Sequence, residues 1–425
     1  MTPPPTDPAA NAVPAGRRFV WRHRSTWVVL TVALLARLAA LRSAIQDHPH
    51  DWLFSRGIEM GLLANSLLHG LGYSSPFGGS TGPTAFIAPG YPTLIAAIFL
   101  VFGTYSFPSA IAIMVLQTFV SLLTIWLMMW IAREMLNDAT AKLAGGFWAV
   151  SLAVIFIPTI FWETSLSECA LIGMIALALR IQRAPSTRGW VGMGAGCAVV
   201  ALINPALLPS LLTIMGWLAW QTRKTSRTAP LIGLLTLVLV FLPWPIRNAV
   251  RFHAFIPLRS TVGFELWMGN RPGATGYLDE SLFPMYNKQE LASYVSMGEV
   301  AYTQEKSEEA KAYIFANPGT FVRMSLRRCW RFWTGTGNSS GSVFYVLHAV
   351  LTSGFGLAGL WILFRRRMYS FATLAALPLL VFPLPYYITH AEFRYRLVID
   401  PLLTILAAYA VTRLAALSTP PPPRS

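Results

Sequence analysis

A few acids and arginines stand where long apolar runs give way to polar loops, and their types allow one kind of chemistry. Glu59 and Asp51 fall in a polar stretch after the first apolar run, and Glu163 lies in the segment Trp162 to Ser165 between two others. Arg247 and Asn248 follow a later run, Asn204 stands at a break between two short ones, and His390, Arg394 and Arg396 precede the last. A carboxylate within hydrogen-bond reach of a hydroxyl can take its proton. Arginine forks grip phosphate oxygens in pairs and hold their charge. Together these groups suit transfer of a unit from a phosphorylated donor to a hydroxyl acceptor.

Each residue also has an ordinary use. Glu59 can be a first-turn acid favoured by a helix dipole. Glu163 beside a membrane span is costly unless paired or functional. Arg394 and Arg396 can snorkel as interfacial anchors. Positive charge on an outer face nevertheless runs against the usual orientation bias, which favours phosphate binding for the two arginines.

The elements that must position these groups are membrane helices. The chain is 54% hydrophobic and only 12% charged, with 15 Trp, against about 25% charged residues in soluble domains. Apolar runs such as Leu231 to Leu242 with their flanks call for helices, because a bilayer core takes about 20 residues per crossing. The net charge of +15 sits in short basic loops, so it reads as an orientation signal and not as a nucleic-acid surface. Three cysteines, Cys169, Cys197 and Cys329, form no CxxC pair, and no Walker or GxGxxG loop is present. Gly192, Gly194 and Gly196 call for close helix packing.

The expected fold is an all-α polytopic membrane protein of about ten to eleven transmembrane helices with a sizeable external loop. The expected organisation is a basic, Pro-rich cytoplasmic tail over 1–25, a membrane module over 26–246 with a first external loop at about 46–88, an external loop over 247–341, C-terminal membrane helices over 342–417, and a Pro-rich tail over 418–425. The span from Pro89 to Gly103 is too short for this path and is expected to be re-entrant or interfacial. The stretch Leu143 to Phe161 is expected to form one crossing. In the second loop, Lys288 to Ala316 has helical spacing. Asn317 and Pro318 predict the start of a basic amphipathic helix over Gly319 to Trp333, lying in the membrane interface.

An external carboxylate after the first span, the run Gly70 to Phe77, the patch Thr81, Gly82, Pro83, Thr84 and Ala85 leading into Pro89 and Tyr91, and the segment Trp162 to Ser165 resemble GT-C class glycosyltransferases. The similarity is to the bacterial branch related to protein O-mannosyltransferases and aminoarabinose transferases, and it rests on the order of loose motifs across the membrane-embedded chain. The resemblance implies a transferase that takes a sugar from a polyprenyl-phosphate carrier at the external face of the membrane, inverting at the anomeric carbon. It implies Glu59 as base toward the acceptor with Asp51 in reserve and Glu163 as the second acid; by their own charge and position, Arg247, Arg394 and Arg396 are the expected ligands of the carrier phosphate. Asn204, Asn248 and His390 join them as expected substrate-binding residues. The sequence departs from the family pattern in lacking an adjacent Asp-Glu or Asp-Asp pair, so the choice between Glu59 and Asp51 stays open. So does a divalent cation, because two isolated acids fit either an ionic site or plain base catalysis. The expected setting is the bacterial inner (plasma) membrane, with membrane lipids and an unidentified glycan, lipid or protein acceptor as partners. The rival readings are a flippase for a lipid-linked saccharide and an oligosaccharide ligase or polymerase.

Overall fold

A computed structural model describes residues 23–47, 53–55, 57–336 and 343–418. Asp51, Arg56, the arginines before residue 23 and the C-terminal tail from residue 419 lie outside the described residues. Those that are described form helices joined by loops, with one isolated bridge between Ser74 and Pro83. The helices are α1 (Arg24–Asp47), α2 (Ile58–Leu68), α3 (Gly90–Phe102), α4 (Phe107–Met135), α5 (Asp138–Val150), α6 (Leu152–Ile155), α7 (Thr164–Arg183), α8 (Thr187–Ile203), α9 (Leu208–Thr222), α10 (Ala229–Phe241) and α11 (Pro243–Phe252). They continue as α12 (Val262–Gly269), α13 (Lys288–Met297), α14 (Glu299–Ala316), α15 (Pro318–Thr334), α16 (Val343–Arg365), α17 (Tyr369–Val381), α18 (Leu384–Ile388), α19 (Phe393–Arg396) and α20 (Asp400–Ser418).

Among the described residues six helical stretches are long and apolar enough to cross a membrane, counting α10 with α11 and α17 with α18 as one each, and the bent pair α5–α6 would make a seventh. Further apolar helices are shorter, α8 among them. Small polar caps cut the apolar sequence into these lengths. Ser106 accepts from Ser109 N at 3.1 Å to start α4, Asn137 from Thr140 N at 2.8 Å to start α5, and Ser186 from Gly189 N at 3.1 Å to start α8.

Polar contacts sort the bundle into two ends. At one, Arg133 meets Asp138 at 2.7 Å and donates to Thr26 Oγ1 at 2.7 Å, Arg183 pairs with Glu134 at 2.6 Å, and Thr140 meets Thr412 at 3.0 Å. The opposite end carries the two large loops. Helix α3 does not travel between them. Its Tyr91 donates to Gln117 at 3.2 Å, while Phe99 near its other end packs on Tyr105 just before α4. Both ends of α3 therefore lie alongside the stretch from Tyr105 to Gln117, which includes the first eleven residues of α4. Its 13 residues rise about 20 Å, short of the roughly 30 Å core.

Two sequence expectations change on inspection. The crossing over Leu143 to Phe161 is not straight but bends by 63° at Ser151. The polar groups freed there are met from inside the protein: Ser151 Oγ bonds His348 Nδ1 at 2.8 Å, and Ala149 O accepts from Arg37 at 3.3 Å. A broken helix at membrane depth is tolerated where protein covers it. In the second loop, the helical stretch over Lys288 to Ala316 is interrupted at Gly298, giving α13 and α14. The glycine stripe behaves as expected, since a Cβ on Gly194 would stand 2.0 Å from Gly233 O, so α8 and α10 meet backbone to backbone.

The amphipathic helix α15 is present but differs in plan. Arg328 and Arg331 are buried on its inner face, while Val322, Leu326 and Trp330 are exposed. Arg328 donates to Gly269 O, to Asn270 Oδ1 at 3.2 Å and to Ile388 O at 3.2 Å, and Arg331 donates to Thr275 O at 2.7 Å. These arginines bind the loop together. Asn317 precedes the helix without capping it, its side chain donating back to Tyr313 O at 3.0 Å.

Candidate active site

Glu59 owes its place to Gly57. That residue has φ +86°, and a Cβ on it would stand 2.2 Å from Phe161 O, so only glycine lets the start of α2 lie against the segment before α7. The same segment is held from below by Gln117, whose amide donates to Pro158 O at 3.0 Å and Ile160 O at 2.9 Å. Glu163 then falls at the N-terminus of α7, where the helix dipole favours a carboxylate. Phe54 closes the floor, edge-on to Phe161 at 5.2 Å and to Tyr105 at 5.2 Å.

The third contributor arrives from far down the chain. Arg394 lies with its guanidinium carbon 3.9 Å over the Trp162 ring and 5.0 Å from the Tyr395 ring. It acts electrostatically on both Glu59 and Glu163. Burial works against its charge, but Tyr395, Glu163 and Glu59 more than offset this and raise its pKa. Glu59 is half-buried. Burial pushes its pKa up, and nearby Glu163 adds to that, while its own backbone N–H, Arg394 and Arg259 pull the other way. A carboxylate shifted upward is a better proton acceptor at neutral pH than an ordinary one.

The other expected residues do different work. Arg396 points the opposite way from Arg394, fully buried, against Asp400 at 2.5 Å, Thr352 Oγ1 at 2.7 Å, Trp333 O at 3.0 Å and Ser353 Oγ at 3.0 Å. Arg247 donates to Thr84 O and Tyr73 O, both at 2.6 Å, and so ties down the first loop. Asn248 holds the turn after α11 through Ile256 O at 2.9 Å. Asn204 donates to Ser167 Oγ at 3.1 Å and caps the turn after α8. His390 is buried beside the site, 3.4 Å from Glu265 and 3.0 Å from Tyr395 Oη. The structure thus brings together Glu59, Glu163 and Arg394, with His390 behind them, and leaves Arg247, Arg396, Asn204 and Asn248 in structural bonds.

Arg394 differs from its neighbours in one respect. Arg247, Arg328, Arg331 and Arg396 all donate to backbone carbonyls. The hydrogen bond of Arg394 among the described residues is a long one, 3.4 Å to Tyr395 Oη. Its fork is held in place by rings and remains available to a ligand.

Sequence reasoning passed over Arg259 and Glu299. Arg259 donates to Phe86 O at 2.8 Å, stands 3.6 Å from Glu265, and acts on Glu59. Glu299 is buried and accepts from Thr84 Oγ1 at 2.5 Å, Ala85 N at 2.7 Å and Tyr294 Oη at 2.7 Å, which locks the second loop onto the first. Neither carries a clear local signal, because the contacts that tie each to the first loop, with Phe86 for Arg259 and with Thr84 and Ala85 for Glu299, are far away in sequence. Among the described residues no three His, Cys, Asp or Glu side chains gather around a point that could hold a metal ion.

The fold has solved counterparts. An archaeal oligosaccharyltransferase, AglB from Archaeoglobus fulgidus in complex with an inhibitory peptide and a dolichol-phosphate, superposes with TM-score 0.54 at 12% identity, over 94% of this chain and 51% of that one. The same enzyme in its apo form gives 0.55 at 12% identity, over 94% and 52%. The fold is the GT-C fold. This chain spans about half the length of those proteins. ArnT from Cupriavidus metallidurans aligns over 93% of the chain but at TM-score 0.38, too low to carry any argument. No protein-family model and no curated protein sequence matches the chain.

Proposed function

We propose that this protein is a membrane glycosyltransferase that moves a sugar from a polyprenyl-phosphate carrier to an acceptor hydroxyl at the outer face of a bacterial inner membrane. The observation that carries the reading is the convergence of Glu59, Glu163 and Arg394 from three distant segments, with the Arg394 fork held by rings and not by carbonyls. The fold supports it, since the archaeal counterpart was solved with a dolichol-phosphate. A lipid-linked donor also suits a site at one end of a membrane bundle, with the tail in the bilayer and the phosphate at its edge.

In this reaction Glu59 takes the proton of the acceptor hydroxyl as its oxygen bonds to the anomeric carbon. The bond from that carbon to the phosphate oxygen breaks, and the electron pair leaves on the phosphate, where Arg394 meets the charge. A single displacement of this kind inverts the anomeric centre. Glu163 orients the acceptor and holds Arg394 between two carboxylates. Arg259 supplies a second cation at the rim. Arg396, enclosed by Asp400 and carbonyls, is left out of the phosphate site.

The test uses the purified chain with a polyprenyl-phosphate sugar. Glu59→Gln keeps the size of the side chain and removes its basicity, so donor binding should survive while turnover falls by about 10² to 10⁴ fold. Near-native turnover in Glu59→Gln with loss in Asp51→Asn moves the base to Asp51. Near-native turnover in both defeats the mechanism. In cells lacking the protein, accumulation of the sugar-charged carrier is the expected result, and a normal carrier pool on both faces of the membrane would count against a transferase.

A further inference from the structure

Behind Arg394 lies a chain of polar contacts whose middle members, Glu265, His390 and Tyr395, the proposed reaction does not use. Arg259 stands 3.6 Å from Glu265, Glu265 3.4 Å from His390 Nδ1, His390 Nε2 3.0 Å from Tyr395 Oη, and Tyr395 Oη 3.4 Å from Arg394 Nη2. The chain joins α12 to α19 and ends on the one arginine of the site whose fork is not fixed by backbone. We infer that Tyr395 is a positioning residue: its hydroxyl, oriented by neutral His390, aims the Arg394 fork at the phosphate of the donor. The inference rests on the proposed function, in which Arg394 meets that phosphate.

The orientation follows from which atoms can donate. His390 Nδ1 lies on the Glu265 side, 3.4 Å away and short of a formed hydrogen bond, and assigning the proton of the neutral ring to Nδ1 leaves Nε2 as the acceptor. Tyr395 must then donate its proton to Nε2, which turns an oxygen lone pair toward Arg394. The arginine has only donors, and the lone pair gives one of its nitrogens a fixed direction. The rings add the other restraint. Trp162 lies under the guanidinium and Tyr386 stacks on Tyr395 at 4.7 Å, so the hydroxyl sets rotation within a plane that the aromatics already define. His390 is kept neutral by its surroundings: burial lowers its pKa, Arg394, Arg328 and Arg259 lower it further, and Glu265 opposes them.

The experiment measures binding of dodecyl methyl phosphate, a soluble phosphodiester, to the full chain in detergent. It compares the wild type, Tyr395→Phe, Arg394→Lys and the double variant. Tyr395→Phe removes one oxygen and retains the stack on Tyr386, so the fold should hold, and an unchanged melting temperature verifies it. The expected loss of affinity is about tenfold, that of a weak charge-assisted hydrogen bond. In the Arg394→Lys background the same change should cost less than about twofold, because residues acting through a common group are not additive. A merely structural tyrosine would cost the same in both backgrounds, and that result, or no loss in the wild-type background, overturns the inference alone. No binding by the wild type overturns the phosphate reading of Arg394 and this inference with it.

Discussion

Glu299→Gln offers the most direct test of how the second loop holds the first. The carboxylate is buried and accepts from Thr84 Oγ1 at 2.5 Å, Ala85 N at 2.7 Å and Tyr294 Oη at 2.7 Å. In the amide, the remaining oxygen still accepts from Ala85 N, but an NH₂ group faces two hydroxyls. Tyr294 can turn to accept from it. Thr84 Oγ1 already accepts from Phe86 N at 2.9 Å, so its proton loses its acceptor. Exchanging charged for neutral acceptors and leaving one buried donor unmet should cost about 2 to 3 kcal/mol. At about 1.4 kcal/mol per decade, opening of the Thr84 to Ile87 segment should become roughly 30 to 140 times more frequent. Amide hydrogen exchange read by mass spectrometry measures this at Ala85 and Phe86, with peptides from α4 and α7 as internal controls. Faster exchange confined to the first loop is the expected result. Unchanged exchange at Ala85 would refute the lock, and loss of protection across α4 and α7 would show that Glu299 supports the whole bundle and not the loop.

Further outcomes follow from the same geometry. Arg396→Met should lower stability by about 3 to 5 kcal/mol, because the buried Asp400 loses its cation and keeps only His348 as a partner, and Asp400→Leu in the same chain should restore much of it; thermal melting in detergent reads both. His390 has a folded pKa below its unfolded value of 6.5. The unfolded chain therefore binds more protons as pH falls through about 6.5, and the melting temperature should drop on acidification, less so in His390→Gln. For Glu59 the shift is upward from 4.5, so the charged form weighs on the fold as pH rises through the folded pKa, and Glu59→Gln should melt higher than the wild type at pH 7. If the loop end faces outward, single cysteines at 277 and 366 in a background lacking Cys169, Cys197 and Cys329 should label with an impermeant thiol reagent only at 277 in intact cells.

Much of the architecture was legible because membrane helices are written in runs of one kind of residue. The fold class and the shortness of Pro89 to Gly103 both come from length and hydropathy. The bend at Ser151 was not legible, because Leu143 to Phe161 is apolar throughout, and what permits the break is His348 and Arg37 on other helices. Arg37 itself was a signal left unread, since an arginine inside an apolar span calls for a partner. At the site, Glu59 and Glu163 stood out as acids beside apolar runs. Arg394 and Arg396 looked equivalent, being two residues apart. Only the turn of α19 separates them, sending one fork toward Trp162 and the other into Asp400.

The bend at Ser151 has a consequence for how the protein is made. Its hydroxyl is met by His348, which lies 197 positions further on, and Asp400, which bonds the other ring nitrogen at 3.1 Å, comes later still. Helices enter a membrane in order of synthesis, so a nascent chain that has reached α11 already contains the broken helix but not the side chain that completes it. Until α16 and α20 arrive, the N-terminal half lacks His348, which meets Ser151, and Asp400, which bonds His348. Ribosome stalling or truncation before residue 343 should yield a product that membrane proteases clear, although α1, α4 and α7 in it are each long and apolar enough to cross.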